Sequence, residues 1–178
     1  MEDGGSRGAL IELLRLAYSG ELAAAYAYRG HARSVSRADE RDAIQKIEAD
    51  EWHHRALVGD LLSDLGAQPS RIRETRAWLI GRTLGALCHV AGWLLPMYGA
   101  GKLERKNVVE YETAADHATA CGRADLVPCL MRMAEVEREH EAYFRARVLS
   151  HRLAARIPMW SVPPPPARRE LDSARRAV

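Results

Sequence analysis

Four stretches of the chain repeat apolar residues at alternating three- and four-residue steps, and each carries a carboxylate in the middle of its apolar stripe. That spacing lines the side chains along one face of an α-helix. The first stretch covers 8–34 and aligns Leu10, Leu14, Ala17, Glu21, Ala24 and Tyr28. The second covers 38–65 and aligns Ile44, Ile47, Glu51, His54, Val58, Leu61 and Leu65, with Gly66 and Pro69 to stop it. The last covers 124–153, with Leu126, Leu130, Met133, Glu137, His140 and Phe144 in line. Between them, residues 66–76 read as a loop or crossover. The third helix reads in two parts: an apolar, Gly-rich portion over 78–95, which Pro96 is expected to kink near its end, and a continuation over 102–121. Gly99 and Gly101 weaken the join, and Glu110, Ala114, His117 and Cys121 share a face of the continuation. The expected fold is all-α, an antiparallel four-helix bundle with an additional or kinked apolar segment before the third carboxylate-bearing helix. The bundle is expected to occupy 8–157, and a Pro-rich basic tail 158–178. Ala, Leu, Arg and Glu dominate while Val, Ile, Thr and Phe are sparse, which leaves little material for a sheet.

Several function classes are disfavoured at once. A net charge of +2 with scattered arginines gives no concentrated basic face, so no nucleic acid is expected. The densest basic stretch is the tail, with Arg168, Arg169, Arg175 and Arg176. Cys88, Cys121 and Cys129 are odd in number and widely spaced, which fits a reducing, cytoplasmic setting rather than a disulfide scaffold or zinc ribbon. The opening MEDGGSRGAL lacks a basic region joined to an apolar core, so no secretory leader is expected. The apolar run 79–99 is interrupted by Arg82 and His89 and is expected to lie buried or against a membrane surface, not to span it.

The carboxylates carry the chemistry. A charged group in the centre of an apolar stripe is costly unless it is paired, protonated or bound to a metal. Here four glutamates and two histidines share the problem. Glu51-x-x-His54 and Glu137-x-x-His140 each place a carboxylate and an imidazole one turn apart on the same face, within reach of one ion. Glu21 and Glu110 supply one carboxylate each. One Glu from each of two helices plus Glu-x-x-His from each of the other two is the ligand pattern of ferritin-like dinuclear bundles. Equal distances from the turns bring all six to one layer. The expected metal ligands are therefore Glu21, Glu51, His54, Glu110, Glu137 and His140, with Glu51 and Glu137 as bridges. His117, on the face of Glu110, is expected to orient a ligand or shuttle a proton, and Tyr28 to act as a phenol beside the site. Two iron ions suit such donors, and manganese or zinc would satisfy the same set.

The segments SGELAAAYAYRGH (19–31), DEWHH (50–54), VVEYETAADH (108–117) and EVEREHEAYF (135–144), with the Gly-rich LGALCHVAGWLLPMYGAG, resemble the ferritin-like diiron proteins and most closely the demethoxyubiquinone hydroxylase family. The resemblance covers roughly residues 10–150. It implies an enzyme that hydroxylates a quinone ring with dioxygen at a membrane surface, supplied with electrons by an external donor, and it assigns metal binding to the same six residues. The charged cluster Lys102, Glu104, Arg105 and Lys106 and the short interval between Glu110 and Glu137 depart from the family pattern. The function expected is oxygen-dependent hydroxylation of a small hydrophobic, quinone-like or phenolic substrate, with the 79–99 surface as its entrance or, alternatively, as a homodimer contact. The rivals are a ferrous-iron oxidase or peroxide scavenger of the ferritin or rubrerythrin kind, and a non-enzymatic helical interaction protein.

Overall fold

The computed structural model describes residues 3–164, and among them every regular element is helical. The long helices are α1 (Asp3–Ser34), α2 (Ala38–Asp64), α3 (Arg71–Leu87), α4 (Leu94–Ala120) and α5 (Val127–Leu149). Helices α1 and α2 form one hairpin, and α4 and α5 the other, joined by a one-turn 3-10 helix at Ala124–Leu126. Helix α3 crosses between the hairpins and packs on α1. The tail arginines 168, 169, 175 and 176 lie outside the described residues.

The third region differs from expectation in where the chain breaks. Gly99 and Gly101 lie inside a continuous α4, and Pro96 occupies its first turn, where a missing backbone N–H costs least. The break falls instead at Cys88–Trp93, where Gly92 takes a φ of 72°. Helix α3 also begins earlier than the apolar run does, at Arg71, behind the N-cap Ser70.

Helix α3 is built inside out. Its inward residues are small: Ala77, Gly81 and Gly85 are buried. A Cβ on Gly81 would collide with the backbone of Ala23, and one on Gly30 with the backbone of Gly85, so glycine lets α1 and α3 touch main chain to main chain. The bulky side chains Ile72, Trp78, Leu79 and Ile80 are exposed, as are Leu84 and Leu87, which border a cavity against α1 and α4.

The core consists of two apolar clusters. One gathers Leu10, Leu14, Val58, Leu62, Leu130 and Met133, the other Ala24, Ile44, Ile47, Met97, Phe144 and Val148. Between them along the helices lies a band of buried glutamates. The chain after α5 also joins the core: Trp160 packs over Gly101 and donates from Nε1 to Glu141 Oε1 at 2.5 Å. Arg105 and Arg145 donate to the carbonyls of Ser161 and Trp160, and Tyr98 to that of Pro158, so the start of the Pro-rich segment is strapped along α4 and α5.

Candidate metal centre

Each helix delivers its polar residues at the height where its apolar stripe is interrupted. On α1, Glu21 is buried between Leu14 and Ala24. On α2, Glu51 and His54 are buried between Ile47 and Val58, and on α5, Glu137 and His140 between Met133 and Phe144. On α4 the buried stripe runs Met97, Gly101, Glu104, Val108, Tyr111, Ala115 and Ala118. The residue on that stripe at the height of the layer is Glu104, which is fully buried.

Glu110 and His117, expected at the layer, lie away from it. Glu110 lies one position off the buried stripe, is 23% exposed and pairs with Lys106 one turn earlier at 2.7 Å. His117 stands in the last turn of α4, half-buried, thirteen residues beyond Glu104. That separation is roughly 20 Å along the axis, too far to touch the layer. Both expectations followed from starting the helix after Gly101, which leaves the inward face undetermined.

The remaining five expected ligands converge with Glu104. Glu21, Glu51, His54 and Glu137 offer donor atoms all within 4.8 Å of one another, and so do Glu51, Glu104, Glu137 and His140. The two groups share Glu51 and Glu137. His54 Nδ1 lies 2.9 Å from Glu137 Oε1. His140 Nδ1 lies 3.5 Å from Glu51 and 3.6 Å from Glu137. Its Nε2 meets Asp50 Oδ2 at 3.1 Å, which turns the ring so that Nδ1 faces inward.

Two tyrosines complete the layer reciprocally. Tyr28 of α1 donates its hydroxyl to Glu104 of α4, and Tyr111 of α4 donates to Glu21 of α1. Each tyrosine stands seven residues after the glutamate of its own helix, so α1 and α4 present the same Glu-x6-Tyr pattern head to tail. With the two Glu-x-x-His pairs, the layer has an approximate twofold symmetry. Tyr28 was expected beside the site. Tyr111, Glu104 and Asp50 were not, although the repeated Glu-x6-Tyr spacing marks both Glu104 and Tyr111.

Protonation shows how strained the layer is as carboxylates alone. Burial, then repulsion from Glu137, pushes the Glu51 and Glu104 carboxyls well above the usual range. Burial raises Glu21 as well. Burial opposes ionisation of Glu137 too, yet the neighbouring polar groups of Glu104, His140 and His54 outweigh it and keep this carboxyl well below the usual range. The layer thus holds one firmly ionised carboxylate among neighbours that resist ionising. Both oxygens of Glu51, Glu21 Oε2, Glu137 Oε2 and His140 Nδ1 are buried without a hydrogen-bond partner. Unpaired buried acceptors are rare and costly, and here they point into one space. A cation there would supply the missing partner to each, so the residues fit a metal pair, and a carboxylate–imidazole set suits iron, manganese or zinc.

An apolar cavity of about 480 Å³ opens beside the layer, between α1, α3 and the start of α4. Tyr28, His31, Leu84, Cys88, Leu95 and Gly99 are among its walls. Tyr28 belongs to both structures, lining the cavity and bonding Glu104.

A helical bundle with two Glu-x-x-His pairs and two further carboxylates in one buried layer defines a ferritin-like carboxylate protein. The particular family follows from sequence: the family described as "Ubiquinone biosynthesis protein COQ7" matches residues 9–113, more than half of the chain, and the chain belongs to it. The matched stretch holds Glu21, Glu51, His54 and Glu104 and ends before the Glu-x-x-His of α5. Over 78 residues the chain is 32% identical to the 3-demethoxyubiquinol 3-hydroxylase of Francisella tularensis subsp. novicida (strain U112), covering 42% of this chain and 37% of that protein. The protein of the same name from subsp. tularensis (strain SCHU S4 / Schu 4) gives the same identity and coverage. The match therefore spans little more than a third of these relatives' length. No solved structure matches the chain.

Proposed function

We propose that the protein is a diiron hydroxylase that adds one oxygen atom from dioxygen to a hydrophobic, quinone-like or phenolic ring. The observation that carries this reading is the juxtaposition of the buried Glu/His layer with an apolar cavity across Tyr28. The family match supports it. Glu51 and Glu137 would bridge two ions, with Glu21 and His54 completing one and Glu104 and His140 the other. Bound iron supplies the redox chemistry of oxygen activation. Hydroxylation of a C–H bond consumes dioxygen, two electrons and two protons and releases one water, so an external electron donor is required.

The chain's own residues set access and orientation. Tyr28 and Tyr111 hold Glu104 and Glu21 by their hydroxyls, and burial keeps both phenols protonated. Asp50 fixes the ring of His140. The apolar walls of the cavity exclude water from the layer while admitting a ring. No described helix is long and apolar enough to cross a membrane. The exposed aliphatic and aromatic face of α3, flanked by Arg71, Arg76 and Arg82, would rest on the inner face of a membrane and receive a lipid-soluble substrate there.

The test is anaerobic reduction of the iron-loaded protein followed by oxygen, with and without short-chain quinols, and mass analysis of the products. One oxygen atom added to the ring supports the hydroxylase. Turnover of ferrous ion or peroxide with no organic product supports an oxidase instead.

A further inference from the structure

His31 is a buried polar group that the metal layer does not use. It stands one helical turn after Tyr28 on α1, is 2% exposed, and lines the apolar cavity. Its ring stacks on Phe144 at 6.0 Å. Its Nε2 has no hydrogen-bond partner. A buried imidazole nitrogen without a partner costs stability, and a leucine or phenylalanine would fill the same position without that cost. Burial lowers the His31 pKa to about 4, so the ring is neutral at physiological pH and can accept or donate a hydrogen bond without bringing charge into the cavity. The Tyr28 hydroxyl, one turn away on the same wall, is already committed to Glu104.

We propose that His31 is the polar anchor of the cavity, hydrogen-bonding a hydroxyl or carbonyl oxygen on an otherwise apolar ring. The proposal rests on the reading of the cavity as the substrate site. It deepens that reading by specifying what the substrate must carry. Three residues of helix separate His31 from Tyr28, a rise of about 4.5 Å, close to the span of one six-membered ring. An oxygen held at His31 therefore sets the ring carbons across from it beside Tyr28 and Glu104. The anchor selects oxygenated rings over plain hydrocarbons and fixes which edge of the ring faces the layer.

The experiment compares two probes, 4-pentylphenol and pentylbenzene, which share the ring and chain and differ by the hydroxyl. Their affinities are measured by tryptophan fluorescence on the wild type, His31→Leu, His31→Gln and Gly99→Trp. Differences in partitioning from water cancel when the ratio of the two affinities is compared across variants. In His31→Leu the phenol should weaken relative to the hydrocarbon by about three- to tenfold, the worth of one neutral hydrogen bond. His31→Gln, which restores a donor and an acceptor, should recover most of that loss. A ratio unchanged between wild type and His31→Leu overturns the anchor. Gly99→Trp tests the underlying reading separately. Gly99 lines the cavity and a Cβ there meets nothing within 4 Å, so an indole is tolerated on this wall and should abolish binding of both probes. If both probes bind Gly99→Trp as they bind wild type, the cavity is not the binding site and both readings fall. If Gly99→Trp blocks both probes but the ratio does not move in His31→Leu, the His31 anchor alone falls.

Discussion

The two halves of the carboxylate layer have nearly the same parts and different surroundings. Glu21, His54 and Tyr111 form one half and Glu104, His140 and Tyr28 the other, with Glu51 and Glu137 common to both. The Tyr111 half backs onto a close-packed cluster that includes Leu14, Val58, Ala114 and Met133. The Tyr28 half abuts an open apolar cavity. The symmetry of the ligands explains how a metal pair would be held. That symmetry is broken by α3, whose glycines sit on α1 and whose Leu84 and Leu87 line the cavity, so an organic molecule would approach from one side only.

The shared residues are where this comparison breaks most completely. Glu51→Ala and Glu137→Ala should each strip both ions, whereas a ligand belonging to one half should cost one ion. Metal analysis of reconstituted variants, with helicity followed by circular dichroism, separates these outcomes. Glu51→Gln removes the costly charge without leaving a cavity, and should raise the stability of the metal-free protein near neutral pH by about 1 kcal/mol. Denaturant unfolding measures that gain.

The next contrast lies within α4. Glu104→Ala should lose one ion and leave the Glu21 half loaded, while Glu110→Ala should retain both. An exposed i,i+4 pair such as Lys106–Glu110 contributes about 0.5 kcal/mol or less, so Glu110→Ala should barely move the unfolding midpoint. Loss of metal from Glu110→Ala together with retention by Glu104→Ala would reverse the assignment.

A pH series sharpens the account of charge. Glu21, Glu51 and Glu104 have folded-state pKa values above their unfolded ones, so their contribution is fully present below the unfolded value and is lost as pH rises through the folded values. His54, raised by its bond to Glu137 against the opposing effect of burial, works in the same direction. Glu137, lowered, contributes above its unfolded pKa and loses that contribution only in acid. Above about pH 5 the metal-free protein should therefore melt at progressively lower temperature as pH rises. Bound metal replaces those protons, so the loaded protein should resist the decline and metal affinity should climb with pH. Parallel melting curves of the two forms check the sign.

The smallest effect distinguishes the tyrosines. Tyr28→Phe and Tyr111→Phe each remove one hydrogen bond to a buried carboxylate, about 1 kcal/mol of stability apiece. Only Tyr28→Phe alters a cavity wall, so it alone should change the affinity for phenolic probes. Equal effects on probe binding would erase the difference between the halves.

Much of this was legible in the sequence, for reasons that also explain what was not. Helices α1, α2 and α5 carry unbroken apolar stripes, so their carboxylates could be placed by counting threes and fours. The stripe of α4 starts at Met97 and passes through Gly101, and reading those glycines as a join discards the register that selects Glu104 over Glu110. Lys102, Arg105 and Lys106 surround Glu104 and make it look like one more surface charge. Helix α3 misleads in the opposite sense, because Ile72, Trp78, Leu79 and Ile80 are exposed while its small residues face in. Periodicity reports a face without saying which way it points. Trp160 follows Pro158 and precedes a proline run, a context that reads as tail, and only the space over Gly101 reveals that it belongs to the core.

The most direct measurement of the central claim is an anaerobic titration of the metal-free protein with ferrous ion, carried out beside Glu104→Ala. The account predicts saturation near two ions per chain in the wild type, the number this ligand set holds, and near one in the variant. Saturation of the wild type at no ion or one, or a variant that still takes two, would contradict it.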